Sequence, residues 1–98
     1  NDIMAIGMIR RCKELGLRVP EDVAIIGFDG LVIGEYVTPG LTTIATPMEQ
    51  ITSMAVEELV REIEHPMRRS TKMLLEGTLI VRESCGAALR SNVGLGIK

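Results

Sequence analysis

The carboxylate with the strongest chemical signal is Asp29, which directly follows the apolar stretch VAIIGF at residues 23–28. This continuous apolar run predicts a strand buried on both faces, inside a parallel sheet. In open α/β sheets, ligands bind outside the carboxyl ends of the strands, where an aspartate can accept hydrogen bonds from ligand hydroxyls. Alternatively, Asp29 and Gly30 form an Asx-turn that caps the following loop. The local residues leave both interpretations open.

Catalysis would require a second reactive group near Asp29, and the sequence offers none at a suitable spacing. A haloacid-dehalogenase-like phosphotransferase needs another aspartate two positions later, where Leu31 stands, and a receiver domain needs a neighbouring acidic pair. His65 is the single histidine, and we expect it at a helix end rather than as a general base. We therefore predict no catalytic residues, and an enzyme is the weaker class.

The composition limits the partners and cofactors of this chain. Cys12 and Cys85 are the only cysteines, and with one histidine they cannot assemble a zinc site, so we predict no metal, no cofactor and reduced thiols. A net charge of −2 argues against a nucleic-acid surface in this segment. Reduced thiols are typical of a cytoplasmic protein, which is the location that we expect. No apolar run approaches the roughly 18 residues of a membrane span, so we expect no membrane partner.

Helical patterns flank the predicted strand. Residues 3–15 have helical spacing, with Ile3, Ile6, Ile9 and Leu15 apolar, and Asn1 or Asp2 is a natural N-cap. Gly16 predicts a left-handed ending of the Schellman type.

The second half of the chain shows a similar alternation. A short strand is expected at 42–45, and the segment 46–49, TPME, predicts a capping box with Pro47 at the first helical position. The helix should continue to about residue 64, and residues 73–83 should form a strand, broken at Gly77. The alternation of helices and strands favours the α/β class.

Four stretches together resemble the lactose-repressor/galactose-repressor family of bacterial transcription regulators. They cover about residues 1–85 in the right order: NDIMAIG (1–7), GLRVPEDVAIIGFDG (16–30), TPGLTTIATP (38–47) and LIVRESC (79–85). The resemblance implies a fragment of a type-I periplasmic-binding-protein-like fold, with parallel sheets flanked by helices and two subdomains joined by crossovers.

The resemblance also implies how the chain is divided. Residues 1–85 would be the C-terminal part of the effector-binding and dimerisation domain. Residues 86–98 lie beyond the resemblance and show no clear pattern, so we expect a flexible tail there. Residues 1–41 would belong to the second subdomain, LTTI (41–44) would cross over, and the helix at 47–64 would pack on the first. The helix-turn-helix and most of the first subdomain would lie outside this chain, which lacks an initiator Met, so we expect a piece of a longer protein.

By the same resemblance, Asn1 and Asp29 would hydrogen-bond a sugar-like or nucleoside-like effector, and Phe28 would pack in the core beneath the pocket. Ile6 and Arg10, as exposed positions of the first helix, and the loop 31–37 with Tyr36 would form a homodimer interface. Two residues depart from the family pattern. Gly30 stands where a second acidic residue is frequent, and Gly40 replaces a usual proline before LTT, which should loosen the crossover.

The sequence therefore predicts the effector-sensing and dimerising part of a transcriptional repressor that reaches operator DNA only through an N-terminal domain. A solute-binding protein of a sugar transporter is the alternative, and a small α/β phosphotransferase is a distant one. The sequence does not identify the effector or distinguish an inducer from a co-repressor.

Overall fold

The computed structural model describes residues 1–89. Along this part of the chain the elements are α1 (Asp2–Glu14), β1 (Ile26–Asp29), α2 (Ile33–Tyr36), β2 (Thr42–Ala45), α3 (Met48–Glu64) and β3 (Thr78–Ile80). The chain divides into two compact units. Unit 1 contains Asn1–Ala45 and the segment that starts at Thr78, and unit 2 contains Thr46–Gly77.

Helix α1 begins and ends with the predicted signals. The Asn1 side-chain oxygen accepts a hydrogen bond from the Met4 N–H at 2.9 Å. At the other end Gly16 has φ 75°, and the Leu17 and Gly16 N–H groups donate to the carbonyls of Cys12 (2.8 Å) and Lys13 (3.1 Å). These two bonds are those of a Schellman motif, so that prediction is confirmed.

The buried face of α1 is rotated from the predicted one. Its buried residues are Asp2, Ala5, Ile9 and Cys12. These positions follow the three- and four-residue spacing of one helical face. Ile3 and Leu15, predicted to be on the apolar face, are exposed. The reason is Asp2, which is fully buried and turns its own side of the helix toward the sheet.

The sheet of unit 1 has the strand order β1-β2-β3. Strands β1 and β2 are parallel, in a register that runs from Ile26 opposite Thr42 to Asp29 opposite Ala45. Strands β2 and β3 are antiparallel. The predicted α/β class with parallel pairing is therefore confirmed, although β3 adds an antiparallel neighbour.

Strand β1 is buried on one face only. Gly27 faces α1 and is buried, whereas Ile26 and Phe28 point to the other side and are 56% and 50% exposed. Successive residues of a strand face opposite sides, and among residues 1–89 only the Gly27 side is covered. The predictions of burial on both faces, and of Phe28 in the core, are wrong for this chain.

The core of unit 1 is a small cluster between α1 and the sheet. It consists of Ala5, Ile9, Cys12, Ile25 and Leu41, with Ile6, Val19, Val23 and Val37 packed against it. Leu41 is completely buried, and its N–H donates to the Gly34 carbonyl at 2.9 Å. That bond holds the short helix α2, which the sequence did not predict, beside the start of β2.

Helix α3 spans nearly the predicted range but lacks the capping box. It begins at Met48, with Pro47 as the N-cap, and no side chain caps it. The hydroxyl of Thr46 is buried and makes no hydrogen bond among the described residues. Because the helix starts one residue later than predicted, Thr46 lies outside the cap position and its hydroxyl does not bind the first turn.

Strand β3 is much shorter than the predicted strand at 73–83. Thr78–Ile80 pair with Thr43–Ala45, and β2 is itself only four residues long. Residues 70–77 have no regular structure, since β2 offers them no further partner. Residues 90–98 of the predicted tail lie outside the part of the chain that the structure describes. In the described part of the tail, the Leu89 N–H donates to the Gly86 carbonyl at 3.0 Å.

A group of hydrogen bonds ties the start of β2 to residues 82–84. The Gly40 N–H donates to Glu83 Oε1 at 2.7 Å, and the Gly40 carbonyl accepts from the N–H groups of Glu83 and Ser84. The buried Ser84 hydroxyl donates to the Ile25 carbonyl at 2.7 Å and accepts from the Thr42 N–H at 2.9 Å. A proline at position 40 could not donate, so Gly40 adds a contact here, which opposes the expected loosening.

Candidate functional site

The carboxyl ends of β1 and β2 and the beginning of α1 meet at one end of unit 1. Asp29 and Ala45 are the last residues of the two parallel strands and face each other in the register. Asp2, the first residue of α1, binds the N–H of Leu31, two residues beyond the end of β1. The first turn of α1 therefore lies beside the strand ends, the position at which α/β proteins bind ligands.

Asp2 is the centre of a buried hydrogen-bond cluster. Its Oδ2 accepts from the Leu31 N–H at 2.7 Å, and its Oδ1 accepts from the Thr43 hydroxyl at 2.6 Å. The Thr43 oxygen in turn accepts from the Gly30 N–H at 3.2 Å. We call Asp2, Gly30, Leu31 and Thr43 the Asp2 cluster. Asp2 and Thr43 have no exposed surface, so both carboxylate oxygens depend on these protein donors.

Two glycines allow this close approach. A Cβ on Gly27 would overlap the Asp2 Oδ1 atom and would lie 3.0 Å from Leu41 Cδ2. Gly30 has φ 78°, and a Cβ there would lie 2.5 Å from the Ala45 Cα. The backbone of this chain therefore requires glycine at position 30. The resemblance described above implies that an acidic residue is frequent at this position in the family.

Asp29 combines a rare backbone conformation with an available carboxylate. Its φ is 136°, the only positive φ of a non-glycine residue in the described chain. Such a conformation costs on the order of 1–3 kcal/mol and concentrates at functional sites. Asp29 is half-buried, and within residues 1–89 its side chain makes no hydrogen bond. The Asx-turn alternative therefore lacks its hydrogen bond, and the carboxylate is available to a ligand.

Asn1 lies at the same end of unit 1 as Asp29. It precedes Asp2, whose carboxylate holds Leu31, and Asp29 is two residues before Leu31. The Asn1 side-chain oxygen is occupied by the N-cap bond to Met4. Its amide Nδ2 makes no hydrogen bond within residues 1–89, so this group remains free to donate. The two predicted ligand residues thus contribute an acceptor and a donor at one end of the unit.

The three predicted interface residues differ in exposure. Ile6 is half-buried and packs against the core cluster, so the expectation that it is exposed is wrong. It lies next to the buried Ala5 on the inward side of α1. Arg10 is exposed and its guanidinium lies 3.6 Å from the Glu14 carboxylate. Tyr36, the last residue of α2, is 73% exposed.

Sequence reasoning missed the role of Asp2 and Thr43. Asp2 entered only as an alternative N-cap, and Thr43 only as a strand residue. An acidic residue directly after an N-cap is common at helix starts because it complements the helix dipole, so the pattern by itself did not signal burial.

In the part of the chain that the structure describes, no three His, Cys, Asp or Glu residues are grouped to hold a metal ion. None of its helices is long and apolar enough to span a membrane.

The order and position of these elements agree with a known family. The periplasmic binding protein-like domain family matches residues 1–85. This chain belongs to that family. The mixed α/β structure with its small sheet agrees with a part of the fold of this family.

Relatives of this domain are bacterial repressors. The ribose operon repressor of Haemophilus influenzae is 34% identical over 84 residues, which is 86% of this chain and 25% of that protein. The chain thus spans about a quarter of the length of the curated relatives it matches. The resemblance to the lactose-repressor/galactose-repressor family is confirmed.

Solved structures give the same result. A LacI family transcriptional regulator from Enterococcus faecalis V583, solved with bound ribose, is 39% identical with a TM-score of 0.74, over 86% of this chain and 32% of that one. A LacI family regulator from Arthrobacter sp. FB24 in complex with lactose is 38% identical with a TM-score of 0.70, over 87% of this chain and 32% of that one.

Proposed function

We propose that this domain is the effector-sensing part of a transcriptional regulator of the lactose-repressor/galactose-repressor family, and that it binds a sugar-like or nucleoside-like molecule at Asn1 and Asp29. The observation that carries this proposal is the Asp29 carboxylate. It stands at a strand end without a hydrogen-bond partner among residues 1–89, in a backbone conformation that only glycine adopts easily. The bound ribose and lactose of the two regulators above support a sugar.

The chemistry of the two side chains suits a polyhydroxyl ligand. A carboxylate can accept hydrogen bonds from two vicinal hydroxyls at once, and the Asn1 amide can donate to a third oxygen. Hydrogen bonds to a charged acceptor are stronger than those between neutral groups. We expect Asp29 to supply most of the polar affinity on this side of the ligand.

The regulatory step that we propose is a shift between two arrangements of the whole sensor. A ligand that binds one arrangement more tightly moves the population toward it. Domain closure of this kind can change the spacing of two DNA-binding heads in a dimer. Those heads would lie outside this chain, which itself carries a net charge of −2. A protein that acts on operator DNA would work in the cytoplasm.

The dimer surface that we propose consists of Ile6, Arg10 and Tyr36. Arg10 and Tyr36 are exposed, whereas Ile6 supports the surface from its half-buried position. We expect the double substitution Arg10→Glu with Tyr36→Asp to convert the full-length protein to monomers in sedimentation equilibrium. Met67→Asp, at a fully exposed position of unit 2, is the matched control. A variant that remains dimeric would exclude this surface.

A solute-binding protein of a sugar transporter remains the alternative function. It predicts sugar binding at the same residues but no effect of the sugar on DNA binding. The repressor named above favours the regulator. Nothing in residues 1–89 favours the phosphotransferase. Leu31 stands two positions after Asp29, where that enzyme needs a second aspartate, and the Leu31 N–H is bound to Asp2.

The test of the proposed site is Asp29→Ala in the full-length protein, followed by isothermal titration calorimetry with ribose, lactose and a nucleoside. Losing one or two charged hydrogen bonds should cost about 2–4 kcal/mol, which corresponds to a roughly 30- to 1,000-fold weaker Kd. Glu21→Ala, at an exposed carboxylate in the 16–25 connection, is the control and should bind as wild type. An unchanged Kd in Asp29→Ala would refute the assignment.

A further inference from the structure

We propose that Asp2 is a positioning residue that holds Asp29 in its ligand-binding conformation and keeps Asn1 beside it. This inference deepens the proposed function and rests on it. Asp2 does not reach the ligand, because it is fully buried and both of its oxygens are occupied. It acts through the backbone that follows Asp29.

The two peptide N–H groups after Asp29 are both tied to the Asp2 carboxylate. The Leu31 N–H donates directly to Oδ2 at 2.7 Å. The Gly30 N–H donates to the Thr43 oxygen at 3.2 Å, and the Thr43 hydroxyl donates its proton to Oδ1 at 2.6 Å. The Thr43 hydroxyl has a single proton and donates it to Asp2, so the lone pairs of the same oxygen can accept from the Gly30 N–H. One carboxylate therefore fixes both peptides.

Asp29 needs such support because its backbone conformation is one that L residues rarely adopt. Its φ is 136°, and its own side chain makes no hydrogen bond within residues 1–89 that would hold it there. Conformations of this kind persist only when the surrounding structure over-determines them. The bonds at Gly30 and Leu31 supply that constraint immediately after Asp29.

The same carboxylate also places Asn1. Asp2 is the first residue of α1, and Asn1 is its N-cap. Anchoring Asp2 to Leu31 and Thr43 fixes the start of the helix against the strand ends. Asn1 is thus adjacent to Asp2 itself, and Asp29 directly precedes Gly30 and Leu31, whose N–H groups the Asp2 cluster binds.

The discriminating substitution is Asp2→Asn, which keeps the size of the side chain. Its amide oxygen can still accept from Leu31, but its NH2 group then faces the Thr43 oxygen. The Thr43 proton loses its acceptor, and the bond from Gly30 competes with a second donor. Thr43→Ser is the matched control, because serine keeps the hydroxyl that links Asp2 to Gly30.

Two readouts test the inference in the full-length protein. The first is amide hydrogen exchange. In Asp2→Asn we expect Gly30 and Leu31 to exchange at least tenfold faster, with the amides of Ile44 and Ala45 unchanged, and Thr43→Ser to resemble wild type. A uniform acceleration along β1 and β2, or none, would overturn the inference and would leave Asp2 as an ordinary structural residue.

The second readout is a double-mutant cycle on the affinity for D-ribose, which is measured by NMR titration. Asp2→Asn should weaken binding about tenfold when Asp29 is present and clearly less in the Asp29→Asn background, because only the placement of Asn1 still matters there. An equal loss in both backgrounds overturns the inference. If wild type binds none of ribose, lactose and a nucleoside, the proposed effector-sensing function fails instead, and amide exchange alone decides on the role of Asp2.

Discussion

Replacing Gly27 by alanine tests the packing on which the candidate site depends. The added Cβ would overlap the Asp2 Oδ1 atom and press on Leu41, which is completely buried. Overpacking of a core costs about 1–3 kcal/mol. Displacing the Asp2 carboxylate also weakens at least one hydrogen bond to a charged acceptor, which is worth about 1.5–3 kcal/mol. We expect Gly27→Ala to lower the free energy of unfolding by about 3–5 kcal/mol.

Gly7→Ala is the matched control for this substitution. Gly7 lies in the middle of α1, and a Cβ there would meet no atom within 4 Å. The same change from glycine to alanine should therefore stabilise the protein by about 0.5–1 kcal/mol through helix propensity. The two substitutions add the same methyl group, so any difference in sign comes from the site.

Urea unfolding of the full-length protein, followed by circular dichroism, measures both effects. With an m value of about 2 kcal/mol per M, the midpoint of Gly27→Ala should fall by roughly 1.5–2.5 M, and that of Gly7→Ala should rise by roughly 0.3–0.5 M. Adding Asp2→Ala to Gly27→Ala should cost less than the sum of the two single changes, because the overlapping atom is gone. A midpoint for Gly27→Ala within about 0.5 M of wild type would refute the reasoning.

Three further predictions follow from individual contacts. The Arg18 side chain and N–H donate hydrogen bonds to the Asp22 carboxylate and lower its pKa from the ordinary value of 3.8. The pair therefore stabilises the fold above that pH, and its contribution is lost as the pH falls through the lowered pKa. Arg18→Gln should raise the Asp22 pKa in an NMR titration, and an unchanged pKa would contradict the bond. Glu83→Ala should destabilise the protein in urea by about 0.5–1.5 kcal/mol through the lost bond to Gly40, and Glu83→Gln, which keeps an acceptor oxygen, by less; equal losses would exclude that bond as the cause. Asp29→Gly should raise the free energy of unfolding by about 0.5–1 kcal/mol while Asp29→Ala does not, because only glycine relieves the positive φ; a loss of stability in Asp29→Gly would show that the backbone there is unstrained.

The sequence by itself determined the elements that local chemistry specifies. Asn1 and Gly16 marked the ends of α1 because a capping side chain and a left-handed glycine act on the backbone next to them. The position of Asp29 at a strand end was equally local. The family could be inferred because four motifs occur in register over residues 1–85.

Other predictions failed where one residue shifted a boundary or where a partner strand was too short. The capping box at Thr46 failed because Pro47, rather than Thr46, became the N-cap of α3. The strand expected at 73–83 shrank to Thr78–Ile80 because its length depends on what β2 offers across the sheet. Strand pairing is set by partners distant in sequence, so an apolar run alone overestimated it.

Only the tertiary structure decided the inner face of α1 and the role of Asp2. Helical periodicity allowed a face containing Ile3 and Leu15, but the bonds from Asp2 to Leu31 and Thr43 rotate the helix so that Ala5, Ile9 and Cys12 are buried. Those partners lie 29 and 41 positions away in the chain. A short-range pattern holds no information about such contacts, because it is the packing of helix against sheet that brings the carboxylate, the hydroxyl and the two peptides together.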